Sequence, residues 1–180
     1  MLQGERIALR PFRESDFDAW YRLMAEDVEV SIAGSGTWLP QTVEAARHRW
    51  HSILDASPDD RINFAVTIDD RCIGSIAIKF IDRRSQNAWL AIVLDSTQLG
   101  QGYGRDAVNT LLRWAFMIEN FHRISLDTWS TNERAIRCYK AAGFVEEGRM
   151  REAAWVNGQR VDIVEMGVLR PEWLERQQRS

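Results

Sequence analysis

Three glycines carry the first chemical signal. Gly100, Gly102 and Gly104 alternate in Leu99-Gly100-Gln101-Gly102-Tyr103-Gly104-Arg105, between the apolar run Ala88 to Leu94 and a segment with helical spacing. Without side chains, the backbone N–H groups of such a loop can approach a ligand closely. At the start of a helix, where the dipole is positive, they make an anion site. A pyrophosphate is the natural guest. A kinase-type phosphate loop ends in Gly-Lys-Ser/Thr, and Gly104-Arg105-Asp106 does not. A dinucleotide fold is a fairer rival. Gly102 to Ala107 satisfies G-x-G-x-x-A, and Asp127 stands where a ribose-binding acid belongs. Against it, the motif lies mid-chain, after two hairpin signals. A turn that merely requires glycine is the third reading.

Other groups offer less by type and spacing. His48 and His51 share a helix face at metal-ligand spacing, but no third ligand is suggested and Arg47 and Arg49 would repel a cation, so no metal is expected. His122 precedes a strand and reads as structural. Cys138 has no evident base partner. Tyr139, on spacing alone, is a core residue of an amphipathic helix, and Asn132 is that helix's N-cap. Glu26, Asp27, Glu29 and Asp95 are acids that could take a proton or hold a cation.

The elements that must position these groups follow from periodicity. Strands are expected over Ile7 to Arg10, Asn63 to Ile68, Cys72 to Phe80, Ala88 to Leu94, Ile124 to Thr128, Val145 to Ala154 and Val161 to Leu169. Ala88 to Leu94 is nearly continuous in apolar residues, the mark of burial on both faces. Helices are expected after Ser15-Asp16, from Thr42 to about Asp55, from Gly104 to about Asn120 with an Ala107, Leu111, Ala115, Ile118 stripe, and from Asn132 to Ala142 before Gly143. Ser31 to Pro40 reads as turns. The tail from Pro171 reads as polar and fraying.

Two separated segments together resemble the GNAT superfamily of acetyl-CoA-dependent N-acetyltransferases. They are Leu99 to Arg105 and Asn132-Glu-Arg-Ala-Ile-Arg-Cys-Tyr139-Lys-Ala-Ala-Gly-Phe144. The resemblance continues through Glu147-Gly148-Arg149 and the Asn157-Gly158 turn. Leu9-Arg10-Pro11-Phe12 with Asp16 resembles the opening of the Rim-type ribosomal-protein acetyltransferases, and Gly100 to Leu169 also resembles spermidine N-acetyltransferases. The superfamily often has Arg or Gln where Leu99 stands.

The resemblance implies one α/β (α+β) domain over 1–180, a mixed, mostly antiparallel sheet of about seven strands splayed at its middle, with helices on both faces. It implies that backbone amides from Leu99 through Arg105 hold the pyrophosphate of acetyl-CoA, with Asn132 adding a side-chain contact. The strand ending Ile92-Val93-Leu94 would offer its freed edge to the pantetheine arm, and an N–H near Val93 or Leu94 would polarise the thioester carbonyl. Tyr139 would lie beside the CoA sulfur and protonate or hydrogen-bond the departing thiolate. A thiol pKa of about 8.5 against about 10 for tyrosine makes the hydrogen bond at least as good an account as full transfer. Freeing a lysine-like amine of pKa about 10.4 at pH 7 costs roughly 4.6 kcal/mol, whereas an α-amine near 7.7 to 8.0 needs only about 1 to 1.4 kcal/mol. A base from among Asp95, Glu26, Asp27 and Glu29, or a water relay, must supply it.

Composition bounds the rest. The chain has 180 residues, 45% hydrophobic, enough for one well-buried core. A net charge of −3 with no basic run gives no electrostatic case for nucleic acid. No apolar run reaches membrane-spanning length, and two separated cysteines fit a reducing compartment, so a cytoplasmic protein is expected. The expected partner is a small-molecule amine or a protein N-terminus. Trp155 and Trp173, with Val161 to Leu169 as an edge strand, could form a homodimer face. The alternatives from other classes are a CoA-binding sensor or scaffold without catalysis and an NAD(P)-dependent reductase.

Overall fold

The computed structural model describes residues 1–35 and 37–179. Among them an eight-stranded sheet runs in the order β1-β2-β3-β4-β5-β6-β8-β7. The strands are β1 (Leu2–Gln3), β2 (Ala8–Arg10), β3 (Arg61–Ile68), β4 (Arg71–Asp82), β5 (Asn87–Leu94), β6 (Arg123–Trp129), β7 (Val145–Val156) and β8 (Gln159–Leu169). The strand beyond the expected number is β1, too short to show a two-residue period. Helices are α1 (Phe17–Tyr21), α2 (Val28–Ser35), α3 (Val43–Leu54), α4 (Tyr103–Met117), α5 (Glu133–Ala142) and α6 (Arg170–Gln178).

One parallel pairing organises the sheet. β5 and β6 meet only through Asn87↔Arg123, Ala88↔Ile124 and Trp89↔Ser125. Beyond that, β5 stays with β4 and β6 with β8. The sheet opens between them, as a splayed sheet must. A dinucleotide-binding sheet needs successive parallel strands, so that rival falls here.

The main core lies between the sheet and α4, α5 and α6. Ala107, Leu111 and Ala115 are fully buried on α4, while Ile118 is exposed, because it follows the last helical residue. A second cluster of Phe17, Trp20, Ala46 and Trp50 joins α1 to α3. The buried Arg10 guanidinium pairs with the buried Asp16 carboxylate at 2.7 Å and with Asp70 at 2.8 Å, fixing α1 to the β3–β4 turn. Asp16 therefore answers Arg10 and the Arg13 N–H rather than opening α1 as its cap.

Several expectations are corrected. Part of Ser31 to Pro40 belongs to α2, whose first turn is held by Asp27 Oδ1 accepting from the Val30 N–H at 3.0 Å; Gly36 lies outside the described residues. The tail does not fray from Pro171. It forms α6, with Pro171 in its first turn and Glu172 accepting from the Leu169 N–H. Trp173 is buried against Phe116 and so cannot belong to a docking face. Among the described residues its Nε1–H has no hydrogen-bond partner. β8 is not an edge, because β7 lies outside it.

Candidate functional site

The gap between β5 and β6 leads into a cleft of about 700 Å³. Ile92, Val93 and Leu94, the whole of Leu99 to Arg105, Asn132 and Tyr139 all line it. Sequence-distant groups thus meet on one surface. On β5 the side chains of Ala88, Leu90 and Leu94 are buried, while Trp89, Ala91 and Val93 are only partly so. The run looked buried on both faces because Ala88, Leu90 and Leu94 enter the core while Leu90 to Leu94 together border the cleft. Strand alternation also fixes its backbone. The Asp95 N–H donates to Ile73 O on the β4 side, so the N–H groups of Leu94 and Ile92 point the other way, into the gap, and that of Val93 points to β4.

The glycine loop follows a short 3-10 turn, Ser96–Gln98, and runs into α4. Gly100 and Gly102 take φ of +77° and +86°, conformations that side chains with a Cβ resist. Gly104 differs. Its φ is ordinary, and a Cβ there would meet Leu94 Cδ1 at 3.4 Å and Cys138 Sγ at 3.9 Å. Its smallness serves close approach. Leu99 packs its side chain against the main core, so its contribution to the loop is backbone.

The chain's N-terminal turn fastens this loop from outside. Asp106, in the first turn of α4, accepts from the backbone N–H groups of Glu5, Arg6 and Ile7 at 3.0, 2.7 and 3.1 Å. Arg6 donates to Gln101 O at 2.6 Å and to the Tyr103 hydroxyl at 3.1 Å, with its guanidinium over the Tyr103 ring. Farther along α4, Arg113 donates to Gln3 O. None of these contacts was expected from the sequence. They join residues about a hundred apart, and only an acid placed one residue after Arg105 hinted at them.

α5 supplies the opposite wall. Asn132 Oδ1 accepts from the Ala135 N–H at 3.2 Å, the N-cap expected of it, while also bordering the cleft. Tyr139 is buried, and desolvation first, then the negative character of Cys138 and Asp127, pushes its phenol well above the usual tyrosine value. It stays a proton donor throughout the physiological range. Burial likewise raises the Cys138 thiol, which removes any case for a thiolate nucleophile.

The four candidate acids separate cleanly. Glu29, on α2, lines the cleft. Asp27 caps α2 and accepts from the Ser96 N–H; burial works against its ionisation, but these hydrogen bonds outweigh it and hold the carboxyl below its ordinary value. Asp95 caps the 3-10 turn through the Thr97 N–H at 2.9 Å and hydroxyl at 2.6 Å. Glu26 is exposed and is not part of the cleft wall. A further acid, Asp127, borders the cleft and accepts from Trp89 Nε1 at 3.0 Å. Cations line it as well, with Arg105 at the start of α4, Arg134 and Arg137 on α5, and Lys79 on β4. The cleft is therefore charged unevenly, basic by the loop, acidic by α2 and β6, with Lys79 of β4 as a further cation on its wall.

The family model for the acetyltransferase (GNAT) domain matches residues 6–145. The spermidine N(1)-acetyltransferase of Vibrio cholerae is 32% identical over 104 residues, 58% of this chain and 60% of that enzyme, so less than two thirds of its length is aligned. The uncharacterized N-acetyltransferase p20 of Bacillus licheniformis is 27% identical over 176 residues, 96% of this chain and 97% of p20. The crystal structure of spermidine N-acetyltransferase from Vibrio cholerae in complex with CoA and spermine superposes with a TM-score of 0.84 at 22% identity, covering 95% of this chain and 99% of that one. At that identity the shared property is the fold.

Proposed function

We propose that this chain, which belongs to the GNAT acetyltransferase family, takes acetyl-CoA into the β5–β6 gap and moves its acetyl group directly to a primary amine. The observation that carries this reading is the gap itself. It brings a glycine loop, an unpaired strand edge and a buried phenol to one cleft. Acetyl-CoA supplies the activated acetyl group as a thioester. The residues fit it: the amides from Leu99 to Arg105 suit the pyrophosphate, at the basic end of the cleft. Ile92, Val93 and Leu94 give the pantetheine arm a strand to lie along, and Asn132 adds a polar contact. The inward N–H of Leu94 is the donor placed to polarise a carbonyl. Tyr139 holds its proton for the sulfur.

Glu29 is the acid we assign to the amine. It would accept the amine's proton, directly or through water, and Asp127 would add negative potential. For a lysine-like amine that step must overcome roughly 4.6 kcal/mol at pH 7. We favour a polyamine acceptor, because carboxylates on two cleft walls suit more than one ammonium, and because the Vibrio cholerae relative is named for spermidine. A protein N-terminal α-amine is the competing acceptor.

Acetyl-CoA turnover against a panel of amines, read as free thiol, tests the reading. Spermidine should be preferred over a peptide α-amine. Tyr139→Phe should lower kcat about 10²-fold with CoA affinity unchanged, and undiminished turnover would remove Tyr139 from the chemistry. CoA binding with no amine-stimulated thiol release would leave a sensor instead.

We place the reaction in the cytoplasm, in keeping with two free thiols, Cys72 and Cys138. We also assign a homodimer contact to the β7 edge, where Val145, Met150 and Trp155 are exposed. Light scattering that finds a monomer at working concentration would overturn that contact.

A further inference from the structure

A second cavity, of about 200 Å³, lies between the end of β2, the end of α3 and the start of β3. It shares no lining residue with the β5–β6 cleft. Its walls are mostly apolar, formed by Pro11, Phe12, Ile53, Leu54 and Ile62 among others; Asn63 adds an amide, and the charged group in them is Arg61. Arg61 is half-buried. Its Nε–H donates to Asn63 Oδ1 at 2.6 Å. Among the described residues its two Nη groups have no partner and no carboxylate pairs with it.

We propose that this cavity binds a small monocarboxylate with an apolar body, held by the Nη edge of Arg61.

Desolvating a cation without a counter-ion is unfavourable. Burial first, and the nearby Arg49 second, already weaken the hold of Arg61 on its proton, so the site favours an incoming negative charge. Asn63 holds the guanidinium by one nitrogen, which leaves the two Nη groups as a fork that fits a carboxylate with two parallel hydrogen bonds. The apolar walls select an organic body over a bare ion. The volume is smaller than a drug-sized pocket and holds a ligand about the size of benzoate. Phe12 stands 5.1 Å, edge on, from the buried Trp50, so filling the cavity should be felt by tryptophan fluorescence.

Benzoate titrated into the full chain should give a saturable fluorescence change and a rise in melting temperature. Benzyl alcohol, the neutral analogue, should give neither at the same concentration. Arg61→Gln should weaken benzoate at least tenfold, and Arg61→Lys should restore part of it. Leu54→Trp, which fills the cavity while keeping Arg61, should abolish it. CoA affinity should not change in any of these variants. Benzoate binding that survives Arg61→Gln and Leu54→Trp would overturn the proposal. So would equal binding of benzyl alcohol, or binding of inorganic phosphate in place of benzoate.

Discussion

Gly102 and Gly104 sit two residues apart in one loop, yet replacing each with alanine should have opposite effects on stability. Gly102 has φ of +86° and a Cβ there would meet only Arg6 Nη1, at 3.9 Å. Nothing clashes, so the penalty is conformational, about 1 to 2 kcal/mol for an L-residue held in the left-handed region. For a chain of this length that is a fall in Tm of roughly 2 to 8 °C. Gly104 lies inside α4 with an ordinary φ. Its added methyl would touch Leu94 Cδ1 at 3.4 Å, an ordinary contact. Alanine is the better helix former by about 0.5 to 1 kcal/mol, so Gly104→Ala should leave Tm unchanged or raise it by up to about 4 °C.

Ligand binding should then separate the two roles. Gly104 borders the cleft, so its methyl would stand where a pyrophosphate must come close. CoA affinity should fall at least tenfold, about 1.4 kcal/mol, in a protein no less stable than the parent. Gly102→Ala should lose both stability and affinity. Calorimetric melting with and without CoA, together with isothermal titration, reads all four quantities. Gly104→Ala binding CoA as tightly as the parent would refute the close approach. Equal losses of Tm in both variants would refute the division between conformation and access.

Glu29→Gln should lower kcat for the amine about 10²-fold, the share a general base supplies, and leave CoA affinity alone, as steady-state kinetics in both substrates will show; an effect confined to acetyl-CoA would remove Glu29 from the acceptor side. The Arg10–Asp16 pair predicts acid sensitivity. Burial works against the Asp16 charge, but the Arg10 guanidinium and the Arg13 N–H outweigh it and depress the carboxyl. A depressed acid stabilises fully above its unfolded value of about 3.9 and loses that contribution as pH falls through the lower folded value. Asp16→Asn should therefore flatten the loss of stability below about pH 4, measured by denaturant unfolding. Parallel curves for parent and variant would contradict the assignment.

What could be read from sequence was local. The glycine loop, the Asn132 cap, Gly143 after α5 and the Asn157-Gly158 hairpin each announce themselves within a few residues. α6 was equally legible, through Pro171 at a helix start followed by Glu172, but its polar surface outweighed Trp173 in the reading. α2 hid for the opposite reason. Its Ser and Gly residues look like turns, and only Asp27, three residues before Val30, marks a helix start. The strap of Glu5, Arg6 and Ile7 on Asp106 was not legible at all, because no periodicity links residues a hundred positions apart.

The acids show most plainly where composition stops and geometry begins. Asp27, Glu29 and Asp95 are all carboxylates near the expected cleft. A carboxylate that accepts two hydrogen bonds from its own turn is committed to holding that turn, and proton transfer through it would loosen the turn it closes. Asp95 accepts from the Thr97 N–H and hydroxyl, and Asp27 ties α2 to Ser96. Both therefore fix the path from β5 into the glycine loop, which is a positioning role. Glu29 borders the cleft. The same logic applies to Leu99. Its side chain is only partly buried and packs against the core, and under the proposed reading the groups the loop would offer a phosphate are backbone N–H donors.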